Sequence, residues 1–428
     1  MKTETFREKI SFYQQRFSYQ PPQIQAPLAP QTQLVVVIPC YDEPDLTGTL
    51  ESLAACQPPQ APVEVIVVVN QGVNAPEHSI AQNQQTVALA NEWIATNHPE
   101  WLTVHVITAY DLPKKSAGVG LARKIGMDEA LYRLGAIGIN GGIVCLDADC
   151  RVAPNYLVAL EQAFAQGIQS ASIYFEHRPD VSETLQEGIV QYELFLRYYV
   201  AALRLAGFPY AYHTIGSSMA VRAHIYALSG GMNRRKAGED FYFLHKIAPL
   251  GKYYEINQTT VYPSSRTSHR VPFGTGKAQQ KWIDQSQKIL FTYAPQTFVD
   301  LKAFLESSPQ LFEQNEASLK ALHEGFPASI QAFFGWEEFV TQVQDIRQKT
   351  ATIGSFLKRW FHWLDGLKIL KYVHFARDHY YPEVAIHEAS LQLLSMLGHP
   401  SPASTNAKVL LETYRAIDKG HQGMVEFF

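Results

Sequence analysis

The sequence predicts an α/β fold with a mostly parallel central sheet and helices on both faces, followed by a helical C-terminal region. Short β-branched runs alternate with helical patterns four times within the first 150 residues. From about residue 285 onward the patterns are helical throughout. We therefore predict an N-terminal extension over 1–32, an α/β domain over 33–277 and a helical region over 278–428. An antiparallel α+β domain is the alternative for the first part.

The first half of the α/β domain contains four predicted strands joined by helices. The strands are at 34–38, 63–69, 102–107 and 143–146. The intervening helices are at 45–55, 80–96 and 118–134. The strand runs are almost continuously apolar, which is typical of parallel strands that helices cover on both faces.

The second half of the domain changes character. A strand is predicted at 170–175, and a glycine-containing turn at 214–218 precedes another short strand. Gly238, Glu239 and Asp240 come directly before the apolar start of a further helix at 241–247. The segment 183–205 is a long aromatic helix, which indicates a core element or a homodimer interface. Docking of this helix on a membrane or a lipid-linked acceptor is the alternative.

Composition restricts the class of protein. The 428 residues carry a formal net charge of −4, which gives no electrostatic footprint for nucleic acid. No apolar run reaches the roughly 18 residues that span a bilayer, and residues 1–20 lack a signal-peptide core. We expect a cytoplasmic protein, with peripheral contact to the inner face of the membrane as an extension of that expectation. The four cysteines show no C-x-x-C spacing, so reduced structural thiols are expected.

Three familiar motifs are incomplete in this chain. Gly118 and Gly120 are followed by Arg123 where a dinucleotide fingerprint has its third glycine. The Gly274–Lys277 stretch has Val271 where a phosphate loop needs its first glycine. His387-Glu388 lacks the second histidine of a zinc protease. The sequence therefore does not predict a dinucleotide fingerprint, a Walker-type phosphate loop or a zinc-protease site.

Two aspartates, Asp147 and Asp149, follow the predicted strand at 143–146. Ligands of open α/β sheets bind beyond the carboxyl ends of the strands. Paired carboxylates at this place suit a hard divalent cation that also carries a phosphate ligand. Acidic residues also end strands for structural reasons, so the motif depends on its surroundings.

Five features occur in one order along the chain. They are Ile38–Glu43 after the first strand, Asn70 after the second, Asp147-Ala148-Asp149 after the fourth, Gly238-Glu239-Asp240 at a helix start, and Ser268-His269-Arg270 beyond. This order resembles the family 2 glycosyltransferases, which have the GT-A fold and use nucleotide-sugar donors. The resemblance covers roughly residues 33 to 275, and the segment 120–126 is similar to the family's glycine-and-arginine helix beside the nucleotide.

The resemblance implies a metal-dependent enzyme. Asp149 is the expected first ligand, Asp147 shares the metal or faces the ribose, and His269 stands where a late histidine completes the coordination. A metal that bridges both phosphates would neutralise charge on the leaving diphosphate. The histidine favours Mn²⁺ over Mg²⁺. A structural role for this loop histidine is the alternative.

The resemblance also implies a donor site for a UDP-sugar or GDP-sugar. The expected donor-binding residues are Pro39, Tyr41, Glu43, Asn70, Lys115, Arg123, Asp147, Arg266 and Arg270. Asn70 departs from the family, which usually has an aspartate there, although an amide can still pair with uracil or guanine. The loop with Arg266, Arg270 and Lys277 is expected to close over the pyrophosphate, or else to be a solvated basic loop.

Asp240 is the expected general base for transfer to an acceptor hydroxyl with inversion, and Glu239 is expected to orient the acceptor or a cation. Ordinary capping of a helix is the alternative role for Asp240. The acceptor is expected to be a saccharide or a lipid-linked molecule. A retaining GT-A transferase and a non-catalytic scaffold with the same fold are the alternative functions.

Overall fold

A computed structural model of the chain describes residues 3–96, 98–179, 181–268, 270, 274–400, 402, 404–421 and 423–425. They form two compact units. The first draws on Met1–Gln186, Thr214–Ile283 and Asp418–Val425, and the second on Glu187–His213 and Asp284–Ile417. The chain therefore passes between the units several times, and the predicted boundaries at 32 and 277 stay predictions.

Nine of the described strands form one sheet, which belongs to the first unit. The strands along the chain are β1 (Leu34–Cys40), β2 (Val63–Gly72), β3 (Leu102–Leu112), β4 (Gly142–Cys145), β5 (Arg151–Val152), β6 (Ser170–Phe175), β7 (Met219–Arg222), β8 (Tyr253–Tyr262), β9 (Phe291–Thr292), β10 (Val384–Ala385) and β11 (Gly423–Val425). Their order in the sheet is β11-β8-β6-β7-β4-β1-β2-β3, and β5 pairs with β8. Strands β9 and β10 form a separate pair.

The described helices lie between these strands and then dominate the second unit. They are α1 (Thr3–Arg16), α2 (Leu46–Ala54), α3 (Glu77–Thr96), α4 (Val119–Ala136), α5 (Tyr156–Ala165), α6 (Glu183–Leu205), α7 (Ala223–Leu228), α8 (Glu239–Ile247), α9 (Thr275–Asp284), α10 (Pro295–Glu306), α11 (Glu316–Glu324), α12 (Ala328–Phe333), α13 (Trp336–Gln348), α14 (Ile353–Trp363), α15 (Gly366–His379), α16 (Ile386–Met396) and α17 (Ala407–Gly420). Short 3₁₀ turns occupy Ala248–Leu250 and Ser308–Phe312.

Strands β1 to β4 form the parallel half of the sheet that the sequence predicts. Val37 of β1 is in register with Ile66 of β2 on one side and Cys145 of β4 on the other. Right-handed crossovers place α2 and α3 on one face and α4 on the other. A Cβ atom on Gly126 of α4 would lie 2.4 Å from Val37 Cγ1, so α4 packs closely on the sheet. The predicted α/β class and the helical C-terminal region are confirmed.

The other half of the sheet mixes strand directions. Strand β7 runs antiparallel to both β4 and β6, whereas β6 and β8 are parallel. Strand β11 then joins the outer side of β8 in the antiparallel direction. The sheet is therefore parallel around β1 and mixed beyond β4.

The N-terminal segment is fastened to α4. The hydroxyls of Tyr13 and Tyr226 each donate to Asp128 Oδ1 at 2.6 Å, and Lys124 Nζ donates to the Tyr13 hydroxyl at 2.8 Å. All four side chains are buried. Helix α4 carries charged residues along its length. The N-terminal segment supplies hydrogen-bond partners for two of them, Lys124 and Asp128, in place of water.

The second unit is built around aromatic side chains. Phe304 of α10 stacks on Phe334 with ring centroids 4.6 Å apart, and Trp360 of α14 is fully buried beside them. Tyr198, in the aromatic helix α6, is buried and donates to the carbonyl of Tyr293 at 2.7 Å. This part of α6 therefore forms core. Among the described residues we find no helix with both the length and the apolar character to cross a membrane.

Candidate active site

Most of the predicted site residues come from four segments of the first unit, and Asn70, Lys115 and Arg123 come from β2, the turn before α4 and α4 itself. The loops after β1 and β4 open at the same edge of the sheet, because these strands are parallel. Helix α8 begins at Glu239, and the segment 264–270 follows β8. The contacts described below connect all four segments.

Arg123, near the start of α4, connects two of these segments. Its side chain is only 2% exposed, and its two terminal nitrogens donate to Glu239 Oε1 and Asp147 Oδ1. A Cβ atom on Gly216 would lie 2.4 Å from both nitrogens, so this glycine leaves the space that the guanidinium fills. Predicted as a nucleotide-binding residue, Arg123 is engaged with two protein carboxylates.

Glu239 and Asp240 form the first turn of α8. The N-cap is Gly238, which has a φ of +69° that glycine adopts without strain, so Asp240 does not hold the N-cap position. The Oδ1 atom of Asp240 accepts from the backbone N–H of Phe241 at 2.8 Å. Burial raises the pKa of both carboxyl groups above their ordinary ranges, and Arg123 opposes the rise. A carboxylate with a raised pKa is a stronger base.

The two aspartates after β4 differ in their surroundings. Asp147 is 37% exposed and bonds to Arg123. Asp149 is 25% exposed, and its Oδ2 atom lies 3.4 Å from Arg270 and 3.6 Å from Arg266. Burial and the neighbouring Asp147 raise the pKa of Asp149, while Arg270 opposes the rise. Each aspartate therefore faces a guanidinium group.

Glu43 holds in place the loop that carries Arg266 and Arg270, called here the arginine loop. Its carboxylate is fully buried and accepts from Arg266 and from Arg270 Nη1, the latter at 2.9 Å. Arg270 also donates to the carbonyl of Tyr41 at 3.0 Å. The predicted donor residues Glu43, Arg266 and Arg270 thus lie together, with Glu43 as the anchor of two cations.

The carboxyl end of β2 takes part in an amide network. Asn70 is buried at the end of β2, and its carbonyl accepts from Asn83 Nδ2 at 3.2 Å. Asn83 Oδ1 in turn accepts from the backbone N–H of Asp42 at 2.9 Å. Asp42 has a φ of +52°, which is uncommon outside glycine, so Asn83 helps to hold a strained loop. Sequence reasoning missed Asn83, which lies in α3 without any motif.

The other predicted donor residues differ in their burial. Pro39 is buried within β1, Tyr41 is half-buried in the following loop, and Lys115 is exposed in the turn before α4. Arg235, which the sequence analysis did not single out, is exposed and lies over the ring of Tyr242 at 3.7 Å from its centroid. Only its place five residues before Asp240 could have drawn attention to it.

A divalent cation needs several oxygen or nitrogen ligands around one point. Within the described ranges, no group of three Asp, Glu, His or Cys side chains converges in this way. Asp147 bonds to Arg123, and Asp149 faces Arg270. The third predicted ligand, His269, lies outside the described residues. The described side chains alone therefore do not fit such a cation, and the Mn²⁺ or Mg²⁺ site stays a prediction.

No protein-family profile and no curated protein sequence matches this chain. Solved structures similar to it include TarS residues 1–349 from S. aureus in complex with UDP-GlcNAc, with 14% identity, a TM-score of 0.39, and coverage of 81% of this chain and 91% of TarS 1–349. Another is the mannosyltransferase PcManGT from Pyrobaculum calidifontis in complex with GDP-Man and Mn²⁺, with 14% identity, a TM-score of 0.34, and coverage of 88% and 98%. These likenesses are slight, and family 2 membership stays a prediction.

Proposed function

We propose that this protein is a glycosyltransferase that moves a sugar from a nucleoside-diphosphate donor to an acceptor hydroxyl, with inversion. The observation that carries the proposal is the buried Arg123 bridge, which brings Asp147 beside Glu239 and Asp240. One site thus contains a carboxylate for the donor side and a carboxylate for the acceptor side. The arginine loop supplies cationic groups suited to a diphosphate.

In the proposed reaction, the acceptor oxygen forms a bond to the anomeric carbon while the bond from that carbon to the diphosphate oxygen breaks. The hydroxyl proton passes to the carboxylate of Asp240. The diphosphate leaves with added negative charge, which Arg266 and Arg270 are placed to offset. Glu239, held by Arg123, keeps the start of α8 in position.

The donor arginines are held before any donor arrives. Glu43 is fully buried and bonds to both arginines, so their guanidinium groups need little reorganisation to meet a diphosphate. No step of this mechanism passes through a metal. A Mn²⁺ or Mg²⁺ ion remains a further proposal that concerns Asp149 and His269.

Calorimetry with UDP and GDP, each with and without Mn²⁺, tests the proposal. We expect one of the two to bind, and we expect Arg270→Gln to weaken that binding about tenfold or more, because it removes charge-assisted hydrogen bonds. The matched control is Arg377→Gln, which removes a half-buried arginine that pairs with the exposed Asp378 in the second unit, and it should bind as wild type does. Failure of both nucleotides to bind would reject the function.

Two further measurements test the metal and the stereochemistry of the transfer. If nucleotide binding needs Mn²⁺ and Asp149→Ala abolishes this Mn²⁺-dependent binding, the metal proposal stands. Equal binding in a chelator and in Mn²⁺ rejects it. The anomeric configuration of the sugar in the product decides the mechanism. A retained configuration would rule out Asp240 as the base of an inverting reaction.

A further inference from the structure

Two loops next to the proposed base are rich in cations, although the whole chain has a net charge of −4. One loop precedes α4 and the other precedes α8, and their exposed cationic residues are Lys114, Lys115, Arg234, Arg235 and Lys236. The loops touch, since a Cβ atom on Gly118 would lie 3.2 Å from Lys236 Cα. Within the described part of the chain, none of the five forms an ion pair with a carboxylate. Their charge is available to a ligand.

Arg235 is held by contacts of both its side chain and its backbone. Its guanidinium carbon lies 3.7 Å from the centroid of the Tyr242 ring, a stacking distance. Stacking occupies the face of the guanidinium and leaves the N–H groups at its edge free to donate. Its backbone N–H donates to Asn233 Oδ1 at 3.1 Å, so its backbone is held as well. A guanidinium group held in this way is suited to bind a phosphate or a carboxylate through two parallel hydrogen bonds.

This loop is also tied directly to the proposed catalytic helix. Asn233 Nδ2 donates to the carbonyl of Glu239 at 2.8 Å. A Cβ atom on Gly120 would lie 2.2 Å from the Arg235 carbonyl oxygen and 3.1 Å from Glu239 Cβ, so these two residues meet at one point. Because the Arg235 side chain stacks on Tyr242 of the same helix, an anion bound at Arg235 would lie at the first turns of α8, the helix that carries Asp240.

The other arginines of the site serve a different purpose. Arg123 bonds to Glu239 and Asp147, and Arg270 bonds to Glu43. Their charges already have protein partners, whereas that of Arg235 has none among the described carboxylates. Arg235 therefore keeps a charge that a second anion can meet, in addition to the donor diphosphate that we assign to Arg266 and Arg270.

We infer that the acceptor carries an anionic group, either a phosphate or a carboxylate, and that Arg235 binds this group beside the accepting hydroxyl. The inference rests on the proposed function and names the acceptor class for the same site. Lys236 and Lys115 add to the local positive potential and attract such an acceptor at low ionic strength.

The test uses the full-length protein saturated with whichever nucleoside diphosphate binds, so that the donor arginines are occupied. Inorganic phosphate and, in a separate arm, acetate are titrated in, and their binding is followed by calorimetry or ³¹P line broadening. We expect Arg235→Gln to weaken binding of the preferred anion about tenfold, and Tyr242→Leu to weaken it less, because the charge remains while the stacking platform is lost.

Arg16→Gln is the matched control. Arg16 is also exposed, lies over the Phe12 ring at 5.2 Å and has no carboxylate partner among the described residues, but it belongs to α1. This variant should bind both anions as wild type does. Kinetics with glucose and glucose 6-phosphate add a second readout, in which Arg235→Gln should reduce the preference for the phosphorylated alcohol.

The outcomes separate the two proposals. If a nucleoside diphosphate binds but neither anion binds wild type, or Arg235→Gln binds the anions unchanged, the inference about the acceptor is overturned and the proposed function stands. An equal loss in Arg16→Gln also overturns it, because the effect would then be general charge. If no nucleoside diphosphate binds, both proposals fail together.

Discussion

Replacing Arg123 with glutamine should damage catalysis more than its effect on stability explains. The wild-type guanidinium is buried and bonds to Glu239 and Asp147. Glutamine is shorter and neutral, so it reaches neither carboxylate with a charge-assisted hydrogen bond. Both the start of α8 and the loop after β4 then lose the contact that aligns them.

The stability cost should be large. Removing one partner of a buried ion pair costs about 3–5 kcal/mol of unfolding free energy, because a charge is left without compensation. Loss of Arg123 also raises the folded-state pKa of Glu239 further, since this arginine opposes the rise that burial causes. An acid with a raised folded pKa loses folding free energy as pH increases. The deficit of the variant should therefore grow as pH rises above about 7, the folded-state pKa of Glu239 in wild type.

Arg133→Gln provides the matched control for this experiment. Arg133 lies on the same helix, is also buried, and bonds to Glu64 at 2.5 Å through both Nε and Nη2. Its loss should cost a similar unfolding free energy. Urea denaturation of both variants and of wild type measures the two costs.

Activity then separates the two variants at a temperature where both are folded. A misplacement of about 1 Å can lower the rate of reaction about a hundredfold, so Arg123→Gln should lose at least that factor in kcat. Arg133→Gln should keep kcat within about twofold, because Glu64 lies outside the proposed site. If both variants lose stability alike and both keep kcat, Arg123 is only a structural residue and the argument fails.

Three more expectations follow from the same geometry. Asp240→Asn should lower kcat about 10²- to 10⁴-fold while calorimetry shows unchanged nucleotide binding; normal turnover would remove Asp240 as the base. In wild type, kcat/KM should fall as pH drops through the raised pKa of Asp240, because the protonated acid cannot accept the hydroxyl proton; a limb within the ordinary aspartate range would contradict the shift. Gly216→Ala should reduce kcat, because the added methyl group would crowd the Arg123 guanidinium. Gly354→Ala should not, because no atom lies within 4 Å of a Cβ atom built there. Equal activity of the two variants would show that Arg123 does not need the space beside Gly216.

The parallel half of the sheet could be predicted because its strands are buried on both faces. All seven residues of β1 are buried, and the sequence there is an unbroken apolar run. The predicted starts of β1 and β2 match the structure. The pairing of β7 with β4 and β6 could not be predicted, because four residues specify neither direction nor register.

Helix α4 shows a second limit of sequence reasoning. It contains Arg123, Lys124 and Asp128, which an isolated sequence would assign to a solvated face, yet all three are buried. The partners that make this burial tolerable come from distant segments, such as Tyr13 and Glu239. The helical period of the sequence identifies α4. The contacts of its charged side chains with residues more than a hundred positions away leave no local pattern in the sequence.

The sequence predicted which residues belong to the site better than it predicted their contacts with one another. Glu43, Arg266 and Arg270 were expected to contact the donor, and the structure adds that the glutamate anchors both arginines. Arg235 was missed, because an exposed arginine in a loop is common and only its stacking on Tyr242 sets it apart. His269 lies outside the described residues, so its role remains a prediction.

The path of the chain through the two units affects how the protein is made. Strand β8 lies beside β11, whose residues 423–425 leave the ribosome only after the whole of 284–417. The sheet that holds the proposed site therefore cannot be completed before residues 284–417 have been synthesised. Pairing of strands so distant in sequence also slows folding. No single cleavage point separates the two units, so the first unit could be made alone only by rejoining its three segments.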